Sequence, residues 1–176
     1  MQSQKKFPAT FSFELFPPQT PEGIEKLRVA RSQLAQFNPK FFSVTYGAGG
    51  STRDRTIETV LEIQAEGRTV APHLSCIGST RENIYALLKK YQDNGIHHLV
   101  ALRGDLPSGM AQAGEFRYAN ELVTFIRQEF GNLFRIEIAA YPEYHPQARS
   151  AQDDFKNFIK KIEAGADSAI TQYFYN

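Results

Sequence analysis

Glu14, His73, Arg103, Asp105 and Gln172 are polar residues set in or at the ends of short apolar runs, far apart in the chain. A carboxyl, an imidazole, a guanidinium and an amide can between them move protons, hold an anion and hydrogen-bond a heterocycle. Glu14 alternates with Phe13 and Leu15 and therefore faces away from both. Among Phe11, Phe13 and Phe16 it is expected to be desolvated, and burial raises a carboxyl pKa toward that of a proton donor at neutral pH. A structural carboxylate paired with a basic residue on a neighbouring strand is an equal reading. In Arg103-Gly104-Asp105, glycine permits close approach of a ligand, arginine suits a phosphate, and aspartate can face a cation or donor. A structural salt bridge is the competing reading there. As an integrin-binding tripeptide the motif is poorly placed, because it ends a strand and nothing suggests secretion.

These groups need elements to bring them together. Six stretches read as strands, at 11–16, 41–46, 70–76, 97–103, 134–141 and 168–175. They lie roughly 30 residues apart, the length of a βαβ crossover with its second strand. Between them are helical patterns. Thr20-Pro21 opens the first, with Ile24, Leu27, Leu34 and Phe37 on its apolar side and Glu25, Lys26, Arg28 and Arg31 mainly on the other. The second spans 56–67, with Ile57, Val60, Leu61 and Ile63 inward and Gly67 ending it. The third runs from Ser79-Thr80 to Gly95, and the fourth from about Tyr118 to Phe130. The fifth carries the clearest stripe, Phe155, Phe158, Ile159 and Ile162, expected to face in. Pro72 is an awkward guest in a central strand.

Runs apolar on both faces indicate parallel strands covered by helices, in an open doubly wound sheet or a (βα)8 barrel. In a barrel the strand ends share one face, which would gather Glu14, Thr45, Tyr46, His73, Asp105, Tyr141 and Gln172. Eight units need about 250 residues, so the 176 here are expected to form one catalytic domain, 1–176, that lacks its last two βα units.

Bulk properties narrow the class. Hydrophobic residues make up 41% and charged residues 22%, ordinary for a soluble globular domain. A net charge of +1 offers no footprint for nucleic acid or an acidic membrane. With neither a signal peptide nor an apolar span, a cytoplasmic address is expected. The single cysteine, Cys76, offers no disulfide and no metal cluster. His97 and His98 point to opposite faces of a strand and read as ordinary, and scarce lysines at strand ends argue against a Schiff-base aldolase. Gly47-Ala48-Gly49-Gly50 is a turn or an anion loop, since the third glycine of a dinucleotide fingerprint is replaced by Thr52. Asp154 and Lys161 lie two helical turns apart, either a nucleotide grip or a solvated helix face.

Six segments in order resemble one family. They are Phe13-Glu14-Leu15-Phe16-Pro17-Pro18, Ser43-Val44-Thr45-Tyr46-Gly47-Ala48, Ala71-Pro72-His73-Leu74, Ala101-Leu102-Arg103-Gly104-Asp105, Ala140-Tyr141-Pro142-Glu143 with His145-Pro146, and Ile170-Thr171-Gln172-Tyr173-Phe174. Together they resemble methylenetetrahydrofolate reductase. The resemblance implies a (βα)8 barrel that binds FAD and reduces 5,10-methylenetetrahydrofolate to 5-methyltetrahydrofolate with NAD(P)H, by ping-pong kinetics. It implies that Glu14 is the general acid at N10, and that Asp105 lies near the flavin pyrimidine edge and the folate pterin. Gln172 would bind the pterin, and Thr45 and Gln172 would meet the nicotinamide. The implied FAD contacts are Tyr46, Ala48, His73, Arg103, Gly104, Asp105, Ala119 beside Tyr118, Tyr141, His145, Ala148, Asp154, Asn157 and Lys161. Bacterial members of the family point to a homo-oligomer. The competing readings are a βα-barrel lyase or aldolase with a phosphate or metal site, and a catalytically silent flavin-binding fragment.

Overall fold

A computed structural model describes residues 10–46, 50–105 and 114–175. Six strands alternate with five helices: β1 (Phe13–Leu15), α1 (Pro21–Ala35), β2 (Phe42–Val44), α2 (Gly50–Ala65), β3 (Val70–Ser75), α3 (Arg81–Asp93), β4 (His98–Leu102), α4 (Ala119–Phe130), β5 (Arg135–Ala140), α5 (Ala151–Glu163) and β6 (Ser168–Thr171). Every strand pairing is parallel and joins consecutive strands across a helix. That succession is a (βα)8 barrel in part. The chain divides into two compact units, Met1–Pro72 and His73–Asn176.

In the first unit β1 pairs with β2, and β2 pairs with Val70–Pro72 of β3. That ladder ends at Pro72, which has no N–H to donate. Thr20 caps α1, its hydroxyl accepting from the Gly23 N–H at 3.1 Å, with Pro21 at the first helical position. Leu15, Phe42, Val44, Ile57, Val60 and Ile63 are buried. Arg31 is buried too, contrary to the solvent-side position expected of it. Its Nη2 donates to Glu62 at 2.5 Å and its Nε to Glu66 at 3.1 Å, so two carboxylates of α2 replace the water it loses. Phe37 lies beyond α1 and is exposed rather than inward.

In the second unit His73–Ser75 of β3 pairs with β4, β4 with β5, and β5 with β6. Thr80 and Ser150 cap α3 and α5 through their hydroxyls. At α4 the Glu121 carboxylate reaches back to the N–H groups of Arg117 and Tyr118, at 2.7 and 3.4 Å. Leu99, Ile136 and Ile138 of the strands are buried, as are Leu88 and Tyr91 of α3 and Leu122 and Ile126 of α4.

Two expectations fail here. The α5 stripe is not inward: the helix has no buried residue, and Phe155, Ile159 and Ile162 are exposed. Periodicity marks which side of a helix is apolar, but covering that side takes a neighbouring element. The sixth strand also ends at Thr171 instead of continuing to 175. Its β5 partner stops at Ala140, just before Pro142, so no further ladder is available.

Candidate active site at the strand ends

The first unit places Glu14 beside Ser43 in register and sets Thr45 one residue past β2. Glu14 is exposed, not buried among the aromatic residues as expected. The aromatic run packs on itself: Phe11 meets Phe13 edge to face at 5.7 Å, and Phe13 stacks on Phe42 at 6.1 Å. Thr45 is held at both peptide groups. Its N–H donates to the Leu15 carbonyl at 3.0 Å, and its own carbonyl accepts from the Thr56 hydroxyl at 2.9 Å. Burial raises the Tyr46 phenol above its usual pKa against the opposing pull of Arg53. Ala48 lies outside the described residues.

The second unit builds its site where β3 to β6 end. Ser75 Oγ donates to the Arg103 carbonyl at 2.9 Å, as does the Ile77 N–H. The next residue, Gly104, has φ +81°, and a Cβ there would lie 1.8 Å from Ser75 Oγ. The neighbouring strand therefore requires glycine here. Arg103 donates from Nη2 to Gln147 Oε1 at 2.6 Å and from Nε to the Gly104 carbonyl at 3.1 Å.

A cavity of about 420 Å³ is lined by Asp105, Tyr141, His145, Gln147, Gln172 and Phe174, among others. Asp105 follows β4 and Gln172 follows β6, so parallel strand order brings an acid and an amide to one hollow. The Gln172 N–H donates to the Ala140 carbonyl at 2.7 Å, which holds its main chain against β5. A second cavity, about 370 Å³, shares Tyr141 and Phe174 and adds Asp154, Phe155, Phe158 and Lys161.

The loop between β5 and α5 is wired internally. The Ala148 N–H donates to the His145 carbonyl, the His145 N–H to Asp154 Oδ2, and the Gln147 N–H to His145 Nδ1. That last bond puts the proton of a neutral His145 ring on Nε2. The ring also stands edge-on to Tyr141 at 4.5 Å. Lys161 donates from Nζ to the Ala139 carbonyl at 2.5 Å. Burial lowers its pKa, with Asp154 pulling the other way. The Asp154 and Lys161 face therefore forms part of a cavity wall.

The remaining expected contacts are more scattered. His73 is buried, and desolvation holds its imidazole at about 4, hence neutral at physiological pH. Tyr118 and Ala119 stand at the start of α4, and Asn157 is exposed on α5; none lines either cavity. Gln147 was not foreseen as a site residue. Its proximity in sequence to Tyr141 and His145 was the available signal, but only the fold reveals its bond to Arg103. His98, read as ordinary, bonds Glu137 through Nε2 at 2.9 Å, and Arg135 reaches the same carboxylate at 3.1 Å. The His98 bond is the main cause holding Glu137 down at about 2. This network lies at the beginnings of β4 and β5, the end of the strands away from the cavities.

The whole chain, residues 1–176, matches the family model described as methylenetetrahydrofolate reductase. It is 45% identical over 166 residues to 5,10-methylenetetrahydrofolate reductase of Escherichia coli K12, covering 94% of this chain and 55% of that protein. It is 46% identical to the protein of the same name from Pectobacterium carotovorum, covering 94% and 54%. Methylenetetrahydrofolate reductase (NADH) 1 of Arabidopsis thaliana is 39% identical, covering 94% of this chain and 30% of the plant protein. The chain thus spans about half the length of the bacterial relatives it matches.

Proposed function

Because the chain belongs to the methylenetetrahydrofolate reductase family, we propose that it belongs to one catalytic (βα)8 domain, reducing 5,10-methylenetetrahydrofolate to 5-methyltetrahydrofolate with FAD and NAD(P)H. The observation that carries this reading is that Asp105 and Gln172, from the ends of β4 and β6, line one cavity with Tyr141 and His145. Two adjoining cavities with shared aromatic walls suit an elongated ligand that is aromatic at both ends. Arg103 and Lys161 are cations suited to a diphosphate between those ends. Among the described residues Arg103 makes no ion pair, so its charge is available to an anion. The donor set fits FAD.

When bound, FAD supplies a two-electron carrier between NAD(P)H and the folate. The chain's own residues bind and protonate. Asp154 spends Oδ2 on the His145 N–H and can offer Oδ1 to a ribose hydroxyl. His73, neutral, can hydrogen-bond the cofactor without adding charge. Gln172 offers both an amide donor and an acceptor to a pterin edge, and Asp105 accepts from its N–H groups. Although Glu14 is exposed, family membership supports it as the proton donor that protonates folate N10 and opens the five-membered ring to an iminium cation, which an ionised Asp105 stabilises. Proton donation of this kind is worth about 10² to 10⁴ in rate. Thr45 and Gln172 also meet the nicotinamide, so donor and folate occupy the site in turn and the kinetics are ping-pong. A homo-oligomer in the cytoplasm completes the reading.

The test is anaerobic. The purified product of the whole gene should be yellow, NADH or NADPH should bleach it, and methylenetetrahydrofolate should restore the colour. Initial rates should give parallel double-reciprocal lines. Colourless protein that binds no added FAD would overturn the proposal.

A further inference from the structure

We propose that Gln147 is a positioning residue for Arg103, aiming its guanidinium at the anionic part of the ligand in the cavity that Gln147 itself lines. The anion's identity as the FAD diphosphate rests on the function proposed above. The main chain of Arg103 is already fixed, because the Ser75 hydroxyl and the Ile77 N–H both donate to its carbonyl at 2.9 Å. What remains free is a long side chain with several rotatable bonds, and an unplaced guanidinium loses that freedom only when a ligand binds.

Gln147 removes the freedom beforehand. Its Oε1 accepts from Arg103 Nη2 at 2.6 Å, while Nε of the same guanidinium donates to the Gly104 carbonyl at 3.1 Å. Two bonds on a planar fork define its orientation, and they leave Nη1 unspent for an anion. Gln147 is itself held by its N–H on His145 Nδ1 at 3.0 Å. The His145 main chain is in turn tied to Asp154 at 3.1 Å and to Ala148 at 2.8 Å. The acceptor that orients Arg103 therefore belongs to a braced loop.

Three full-length variants test this. Gln147→Met keeps the side chain's length and removes the acceptor, Gln147→Glu keeps the acceptor, and Arg103→Lys identifies the arginine resonance. Two measurements are made on flavin-free protein: FAD affinity by fluorescence titration, and exchange of the Arg103 Nη2 proton that faces Gln147, by NMR on arginine-labelled protein. Gln147→Met should weaken FAD binding about tenfold, as loss of one hydrogen bond to a charged group allows. It should also speed that proton's exchange by about the same factor. Gln147→Glu should keep the exchange within roughly threefold of the parent, since its acceptor is kept, while its added charge pairs with Arg103 and weakens FAD binding. Unchanged affinity and exchange in Gln147→Met overturn the assignment while leaving the flavin reading intact, as does equally fast exchange in both variants. If the parent binds no FAD but Arg103 exchange still follows the acceptor, the flavin reading falls and the positioning role stands.

Discussion

Ser75 Oγ occupies the space that a Cβ at position 104 would need, 1.8 Å away, and the same hydroxyl holds the Arg103 carbonyl. The end of β3 thereby shapes the turn that carries Arg103 and Asp105. Gly104→Ala should cost about 2 kcal/mol or more, combining the collision with the strain of φ +81°. Adding Ser75→Ala should recover only part of this, because the backbone angle remains. Ser75→Thr should be tolerated, since it retains the hydroxyl. Denaturant midpoints with matched slopes would check all three.

For Glu14 the expected signature is a split between half-reactions. Glu14→Gln should abolish folate reduction while bleaching of the flavin by NAD(P)H survives. Rapid mixing can follow each half separately, and equal loss of both would rule out a proton-donor role confined to the folate step.

Asp105 sets a charge beside the same cavity. An ionised carboxylate there disfavours extra negative charge on the reduced cofactor, so Asp105→Asn should make the flavin easier to reduce. Asp105 is exposed, which screens the effect. A rise of roughly 30 mV, tenfold in equilibrium for a two-electron couple, is expected from a redox titration.

Arg31 joins α1 to α2 inside the first unit. Its side chain is 2% exposed, whereas Glu62 and Glu66 are 31% and 40% exposed. Arg31→Met should destabilise by about 2 to 3 kcal/mol, below the loss for a wholly buried pair. The reason is that both glutamates can rehydrate and Arg28 still holds Glu62 at 2.9 Å. Pairing it with Glu66→Gln should restore part of the loss in urea unfolding.

His73 makes stability depend on pH. Its folded pKa of about 4 lies below the usual 6.5, so between those values the unfolded chain binds a proton that the folded chain refuses. Stability should fall as pH drops through that window, by about 3 kcal/mol once below pH 4, with no contribution above 6.5. Glu137, held near 2, adds a separate loss only as pH falls below its usual 4.5. His73→Gln should flatten the upper window in unfolding curves taken between pH 7 and 4.5.

The alternation of elements was readable in the chain, because hydrophobic period, proline and caps act within a few residues of one another. Thr20, Thr80 and Ser150 cap where their types say they should. The cavity pairing of Asp105 with Gln172 was readable too, since parallel strands in order put their ends on one side. Contacts made across elements were not. Arg31 is inside because α2 happens to present two carboxylates, and His98 is tied to Glu137 by the register of β4 on β5. Glu14 is exposed although its neighbours are aromatic, and the stripe on α5 is uncovered although its spacing is regular. Local pattern specifies which face of an element is apolar or charged. Burial, partner and pKa are properties of pairs, and pairs exist only once the chain has folded.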